Sequence, residues 1–177
     1  RKPWVFELRD IWPKSISSLQ MLKNGLILRL LEKIELRLYQ NADLIIPVTH
    51  SFKSYLIRLG IEESKIHVVT NGVNLEFFKK NTKNQELIKK LKLKNRFVIG
   101  YFGTIGLAHS LDFVVKSLKQ LEKENISVLI VGSGAMKKQI DDYIKINNLK
   151  NIILLPTVKK KEIVEYMNII DVAIVPL

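Results

Sequence analysis

The sequence predicts an α/β fold with parallel sheets flanked by helices, and three observations carry that prediction. Short runs of Val, Ile and Leu alternate with longer amphipathic stretches almost from end to end. Most of these runs are apolar at successive positions, as in strands covered on both faces. Of the 177 residues 47% are hydrophobic and 26% charged, a balance that supports a buried core and excludes a disordered chain.

Strands are predicted at 4–8, 44–48, 66–70, 97–102, 128–131, 152–155 and 172–175. Amphipathic helices fall between them. Phe52, Leu56 and Leu59 form one apolar stripe, with Gly60 as its C-terminal stop. Leu111, Val114, Val115, Leu118 and Leu121 form a second, with Ser110 as N-cap. Met136, Ile140, Tyr143 and Ile144 form a third, and Ile163, Met167 and Ile170 a fourth. The β-α-β-α order implies right-handed crossovers and doubly wound sheets.

The alternation breaks once. Residues 74–95 are polar and rich in Lys and Asn, with room for one short helix at 85–91. Residues 1–73 are therefore expected to end one Rossmann-like domain, 74–95 to form a hinge or linker, and 96–177 to begin a second, truncated domain. The first and last segments both read as strands, so both ends are expected to be cuts through a longer protein. The segment 22–39 is apolar on more than one face, but six charges from Lys23 to Arg37 argue against a spanning helix. It reads as an amphipathic helix that packs on its domain. The sharper alternative is an interfacial helix that rests on a membrane, with Lys and Arg toward anionic lipid.

Cysteine is absent, which excludes disulfides and thiolate metal sites. His50, His67 and His109 are scattered, and no Asp-x-Asp pair occurs, so neither a metal nor another cofactor is expected. The formal net charge of +12 comes mostly from Lys dispersed along helices. A solvated surface weighs about evenly against nucleic acid, an anionic membrane face and small anionic substrates taken together. Nucleic acid is the weakest of these: no recognised motif is present, and aromatics do not interleave with the basic runs.

The most informative stretch is FVIGYFGTIG, residues 97–106. A buried strand ends in Gly103-Thr104-Ile105-Gly106, and a helix begins near Ser110. Such a turn points backbone N–H groups and a positive helix end at the carboxyl edge of the sheet, where phosphate binds. A tight strand-to-helix turn also needs glycine for structural reasons alone. Gly132-Ser133-Gly134 ends the next strand, but position 137 is Lys where a dinucleotide fingerprint has its third glycine. Thr157 and Val158 follow the third strand and complete a rim of three loops. Lys159, Lys160 and Lys161 then open a helix, where cations oppose its dipole. A nearby anion would offset that cost, though a solvated charge run is the simpler reading.

These segments resemble the retaining family 4 glycosyltransferases of the GT-B fold, over nearly the whole chain. ADLIIPVTHSFKSYLIRLGIEESKIHVVTNGVNLEFF resembles that family's passage into the hinge, with Asn71-Gly72-Val73 in its signature. GYFGTIGLAHSLDFVV, VLIVGSGAMKKQI and NIILLPTVKKKEIVEYMNIIDVAIVPL are similar to the first segments of its second domain. WVFELRDIWP looks like a subgroup of amino- and deoxy-sugar transferases of surface-polysaccharide assembly.

The resemblance implies a nucleotide-sugar donor of the UDP or GDP type and a saccharide or lipid-linked acceptor. It also implies a cytoplasmic enzyme, at its sharpest peripheral on the inner face of the cell membrane. Gly103, Thr104, Ile105 and Gly106 would line the diphosphate and acceptor side through backbone amides, with His109 as a phosphate partner. Gly132, Ser133 and Gly134 would lie beside the nucleotide, and Thr157 and Val158 would edge the base. Arg9 and Asp10 would face the acceptor side, and Asn71 and Gly72 would belong to a hinge. Three departures stand beside this. No two glutamates are eight residues apart, as the family's donor-binding pair is, so that pair is expected beyond Leu177 and the chain alone is expected to be inactive. Thr104 and His109 stand about where many members have Arg and Lys. The upstream part of the first domain is expected to lie outside this sequence. Two rivals remain: a GT-B sugar-nucleotide epimerase, and a non-catalytic module that binds nucleotide or anionic lipid.

Overall fold

The apolar runs form parallel strands in two separate sheets. The computed structural model describes residues 2–12, 25–121 and 124–176. The chain divides into two units, Arg1–Val73 and Asn74–Leu177.

In the first unit, β1 (Val5–Leu8) and β2 (Leu44–Pro47) pair in parallel, with Val5 opposite Leu44 and Leu8 opposite Pro47. Helix α1 (Gly25–Asn41) connects them, and α2 (His50–Arg58) follows β2. Residues 22–24 of the predicted amphipathic segment lie outside the described residues. The core gathers Leu8, Tyr39, Ile45, Leu56 and Ile66, with Phe52 and Leu59 packed against it. Thr49 caps α2 by accepting from the Phe52 amide at 3.1 Å. Gly60 ends it with φ +81°, a conformation that favours glycine.

The strand expected at 66–70 does not form. Ile66 makes a single parallel bridge to Ile45, and the segment then runs beside β2 on two amide bonds, from His67 and Val69 to the carbonyls of Ile45 and Pro47. Ile66 is buried without a full ladder, and Val69 stays exposed.

The second unit holds a four-stranded parallel sheet in the order β5-β4-β3-β6. The strands are β3 (Phe97–Thr104), β4 (Ile126–Ser133), β5 (Ile152–Leu155) and β6 (Val172–Ala173). The last is shorter than the expected 172–175. The helices are α3 (Gln85–Lys90), α4 (Leu111–Leu118), α5 (Lys137–Ile146) and α6 (Lys160–Ile169). Successive β4 residues enter different cores. Val128 and Ile130 pack with Leu111, Val115 and Ile140 from α4 and α5. Leu129 and Val131 pack with Leu87 and Ile169 from α3 and α6. Burial of each such side chain contributes roughly 1.5–3 kcal/mol. This two-sided burial explains why the run is apolar at every position.

Residues 74–95 belong to the second unit. Their backbone and side chains tie onto α6 and its C-terminal end. The Asn81 amide donates to Asn168, Asn84 donates to Glu165, and the Lys83 ammonium donates to Asp171. Asp171 also accepts from the Val98 amide at 2.8 Å, which sets the start of β3 beside β6. Two expectations for helices need correction. Ser110 precedes α4 but has φ +44° and its side chain makes no cap bond, because a 3₁₀ turn at Leu107–His109 runs directly into the helix. Met167 is 40% exposed, and Ile169 takes the buried position on α6.

Candidate functional site

The carboxyl ends of β3, β4 and β5 open onto a pocket of ≈ 400 Å³. Gly103 and Thr104 reach it from β3, and Gly132 and Ser133 from β4. Thr157, Val158 and Lys160 close the third side. In the sheet register Gly103 stands beside Gly132 and Thr104 beside Ser133, so the two turns leave the sheet at one level. The Thr157 hydroxyl donates to Ser133 Oγ at 3.2 Å and joins the third loop to the second.

The two glycine turns lock into each other. The Ile105 amide donates to the Ser133 carbonyl at 2.8 Å, and the Met136 amide donates to the Ile105 carbonyl at 3.0 Å. A Cβ at Gly132 would overlap the carbonyl oxygen of Gly103, and one at Gly134 would overlap that of Ile105. Gly134 also has φ +153°. These two glycines therefore permit backbone to approach backbone. Gly103 is less confined: its nearest neighbour would be the Tyr101 hydroxyl at 3.3 Å. That hydroxyl donates to the Thr104 carbonyl at 2.6 Å and braces the first turn. Burial pushes the Tyr101 phenol up from its ordinary pKa, so it stays a donor at neutral pH.

Six of the residues singled out for the donor therefore line one pocket: Gly103, Thr104, Gly132, Ser133, Thr157 and Val158. Four do not. Ile105 is fully buried in the core of the unit, and its amide is engaged with Ser133, so it offers no donor to a ligand. Gly134 serves the crossing of the two turns. Gly106 and His109 face each other, with a Gly106 Cβ 3.4 Å from His109 Nδ1. That nitrogen is buried without a hydrogen-bond partner among the described residues, and the imidazole meets Tyr101 edge-on, with ring centroids 6.5 Å apart.

Sequence reasoning passed over Phe102, Val131 and Ile163, whose apolar surfaces floor the pocket, and set Lys160 aside as part of a charge run. Lys160 supplies the cation of the lining, and its ammonium lies 5.9 Å from the Phe77 ring centroid. Its signal was its place on the first turn of a helix, directly after the third strand's loop. The pocket joins a cation, three hydroxyls and a glycine-lined wall over an apolar floor. That set suits a ligand with an anionic part and a flat apolar part.

In the first unit, Arg9 and Asp10 are exposed just after β1, and Arg9 Nε donates to Glu7 at 2.9 Å. Both border a separate pocket of ≈ 310 Å³ beside α1. Asn71 and Gly72 are exposed at the end of this unit, and among the described residues beyond its chain neighbours none comes within 4 Å of a Gly72 Cβ. Among the described residues no three or more His, Cys, Asp or Glu come together as a metal site.

Comparison with known proteins fits both units. The family model Glycosyltransferase Family 4 matches residues 1–77, and the model Glycosyl transferases group 1 matches residues 75–177. The teichuronic acid biosynthesis protein TuaH of Bacillus subtilis is 28% identical over 173 residues, covering 97% of this chain and 43% of TuaH. The capsular polysaccharide biosynthesis glycosyltransferase CapM of Staphylococcus aureus is 30% identical over 160 residues, covering 85% of this chain and 40% of CapM. The chain thus spans less than half the length of these relatives. Among solved structures, Anabaena HepE in complex with UDP-glucose superposes with a TM-score of 0.75 at 20% identity, over 98% of this chain and 46% of HepE.

Proposed function

Since the chain belongs to the glycosyl transferases of group 1, we propose that it carries the donor pocket of an enzyme that moves a sugar from a UDP- or GDP-type nucleotide to a saccharide or lipid-linked acceptor. The observation that carries this reading is the single pocket built by three strand ends, with Lys160 on its wall. A nucleotide diphosphate matches its chemistry: the apolar floor suits a base, and the cation and loops suit phosphate. In the transition state the leaving diphosphate gains charge. Groups held in place beforehand, here the Lys160 ammonium and the hydroxyls of Thr104 and Ser133, stabilise that charge without reorganising. No metal enters this scheme. Retention of anomeric configuration and a place in surface-polysaccharide assembly, on the cytoplasmic side of the membrane, complete the proposal. The names of TuaH and CapM support the pathway class.

The test is turnover by the full-length protein given a radiolabelled UDP- or GDP-sugar. We expect label to pass to a lipid-extractable or saccharide product only when acceptor is added, and Lys160→Ala to weaken binding of the matching nucleoside diphosphate about tenfold. An epimerised sugar nucleotide from donor alone would replace transfer with epimerisation. Nucleotide binding without any turnover would leave a binding module.

A further inference from the structure

The first unit ends in a short stretch that the fold does not hold. The Val69 amide donates to the Pro47 carbonyl at 3.1 Å. The next tie along the chain is Asn74, whose carbonyl accepts from the Phe77 and Phe78 amides. Between these anchors Thr70, Asn71, Gly72 and Val73 make no hydrogen bond among the described residues. All four are exposed and lie outside any helix or strand. Asn71-Gly72 sits in the middle of the stretch. Glycine has no side chain to shield its amide nitrogen, and it leaves the backbone free to turn. Other asparagines differ on both counts. Asn74 Oδ1 accepts from the Glu76 and Phe77 amides at 2.9 and 3.1 Å, and Leu75 follows it. Asn84 Oδ1 accepts from the Leu87 amide at 3.0 Å, its amide donates to Glu165 at 2.7 Å, and Gln85 follows it. Asn151 is buried, and Ile152 follows it. The second Asn-Gly pair of the sequence is Asn24-Gly25, of which Asn24 lies outside the described residues and Gly25 opens α1.

We infer that Asn71 is a site of spontaneous deamidation and isoaspartate formation, with water as the co-reactant. The Gly72 nitrogen gives up its proton to base and attacks Cγ of Asn71. The Cγ–Nδ2 bond breaks, ammonia leaves, and a cyclic imide remains. Water then opens the imide. Attack at Cγ gives aspartate in an ordinary chain. Attack at the backbone carbonyl gives isoaspartate, whose chain runs through Cβ and Cγ. Nothing is oxidised or reduced. Both products replace an amide with a carboxylate and so lower the net charge of +12 by one. The isoaspartate product also adds one backbone carbon between the Val69 and Asn74 anchors. No step depends on what the donor pocket binds, so this inference and the proposed transfer activity fail separately.

The experiment ages the folded full-length protein in mildly alkaline buffer, then combines cation exchange with tryptic mapping. Cleavage after Lys65 and Lys79 puts Asn71 and Asn74 in one peptide, and cleavage after Lys23 and Arg29 puts Asn24 in another. Asn71 should convert to aspartate and isoaspartate, the latter accepting a methyl group from an isoaspartyl methyltransferase, while Asn74 stays an amide. The rate at Asn71 should lie within about threefold of that in the guanidinium-unfolded chain, because the fold does not restrain the segment. Gly72→Ala should slow conversion about tenfold by crowding the attacking nitrogen, and Asn71→Gln should abolish it in this peptide. Both variants should keep the parent Tm, since no hydrogen bond is lost. An Asn71 that stays intact when folded yet converts in guanidinium overturns the proposal. So does an unchanged rate in Gly72→Ala, which would mean that the Gly72 nitrogen is not the attacking group.

Discussion

The turns that end β3 and β4 look alike in sequence, each a strand running into glycine, and the structure gives them different work. Around Gly132 and Gly134 there is no room: each lies against the backbone of the other turn, at Gly103 and at Ile105. Around Gly103 the nearest neighbour is a side-chain hydroxyl, and the residue faces the pocket. One turn needs its glycines so that two loops can cross. The other keeps a glycine where a ligand can approach. The same residue type thus answers to packing in one place and to recognition in the other.

Gly132→Ala tests the packing half most severely. A methyl group there meets the Gly103 carbonyl, which can move only if β3 moves. The expected loss is about 3 kcal/mol, read as a lower urea midpoint with an unchanged slope. Gly134→Ala combines a carbonyl contact with φ +153°. It sits just past the strand end, where the turn can relax, so a loss of about 2 kcal/mol is expected in the same assay. If either variant is as stable as the parent, the crossing of the turns is not what these glycines serve.

Gly103→Ala sharpens the other half. The Tyr101 hydroxyl has to yield by a few tenths of an ångström, so the stability cost should stay under about 1 kcal/mol. Titration calorimetry on the full-length protein should nevertheless show nucleoside diphosphate affinity falling about tenfold, because the displaced Tyr101 hydroxyl no longer braces the Thr104 carbonyl at the pocket. A stability loss equal to that of Gly132→Ala would erase the distinction between the turns.

That distinction also marks where sequence stopped being legible. The α/β class and all the strands but one follow from apolar runs, because strands covered on both faces need no alternation. IHVVT misleads at 66–70 because only Ile66 is buried, Val69 stays exposed, and only alternate amides find β2. The three-loop rim was readable, since glycine after a buried strand implies a turn at the sheet's carboxyl edge. Ile105 and Gly134 were not separable from Gly103, because a one-dimensional pattern records the need for glycine and not the atom it avoids. Lys160 was lost among three adjacent lysines: which one turns to the pocket depends on the angle at which α6 leaves the loop. The ties from 74–95 to α6 join residues more than 80 positions apart, beyond any local pattern.

The smallest effect concerns the other edge of the sheet, away from both turns. β6 is two residues long, and Asp171 compensates for its length by accepting from Lys83 at 2.6 Å and from the Val98 amide at 2.8 Å. The Lys83 ammonium, then the amide, holds the Asp171 carboxyl below its ordinary pKa. Because the folded value lies below the unfolded one, the carboxylate stabilises the fold fully above the unfolded value of about 3.9. That contribution disappears as pH falls through the folded value. The pair is partly exposed, with 42% of the Lys83 and 29% of the Asp171 side chain accessible, so screening keeps the effect small. Asp171→Asn should therefore lower the urea midpoint slightly at neutral pH and flatten its decline in acid, so that the two profiles converge. Profiles that stay parallel down to the acid limb would mean that β6 is held by its backbone ladder alone. The edge would then resemble the β4 turn, where backbone packing decides, and not the β3 turn, where side chains do.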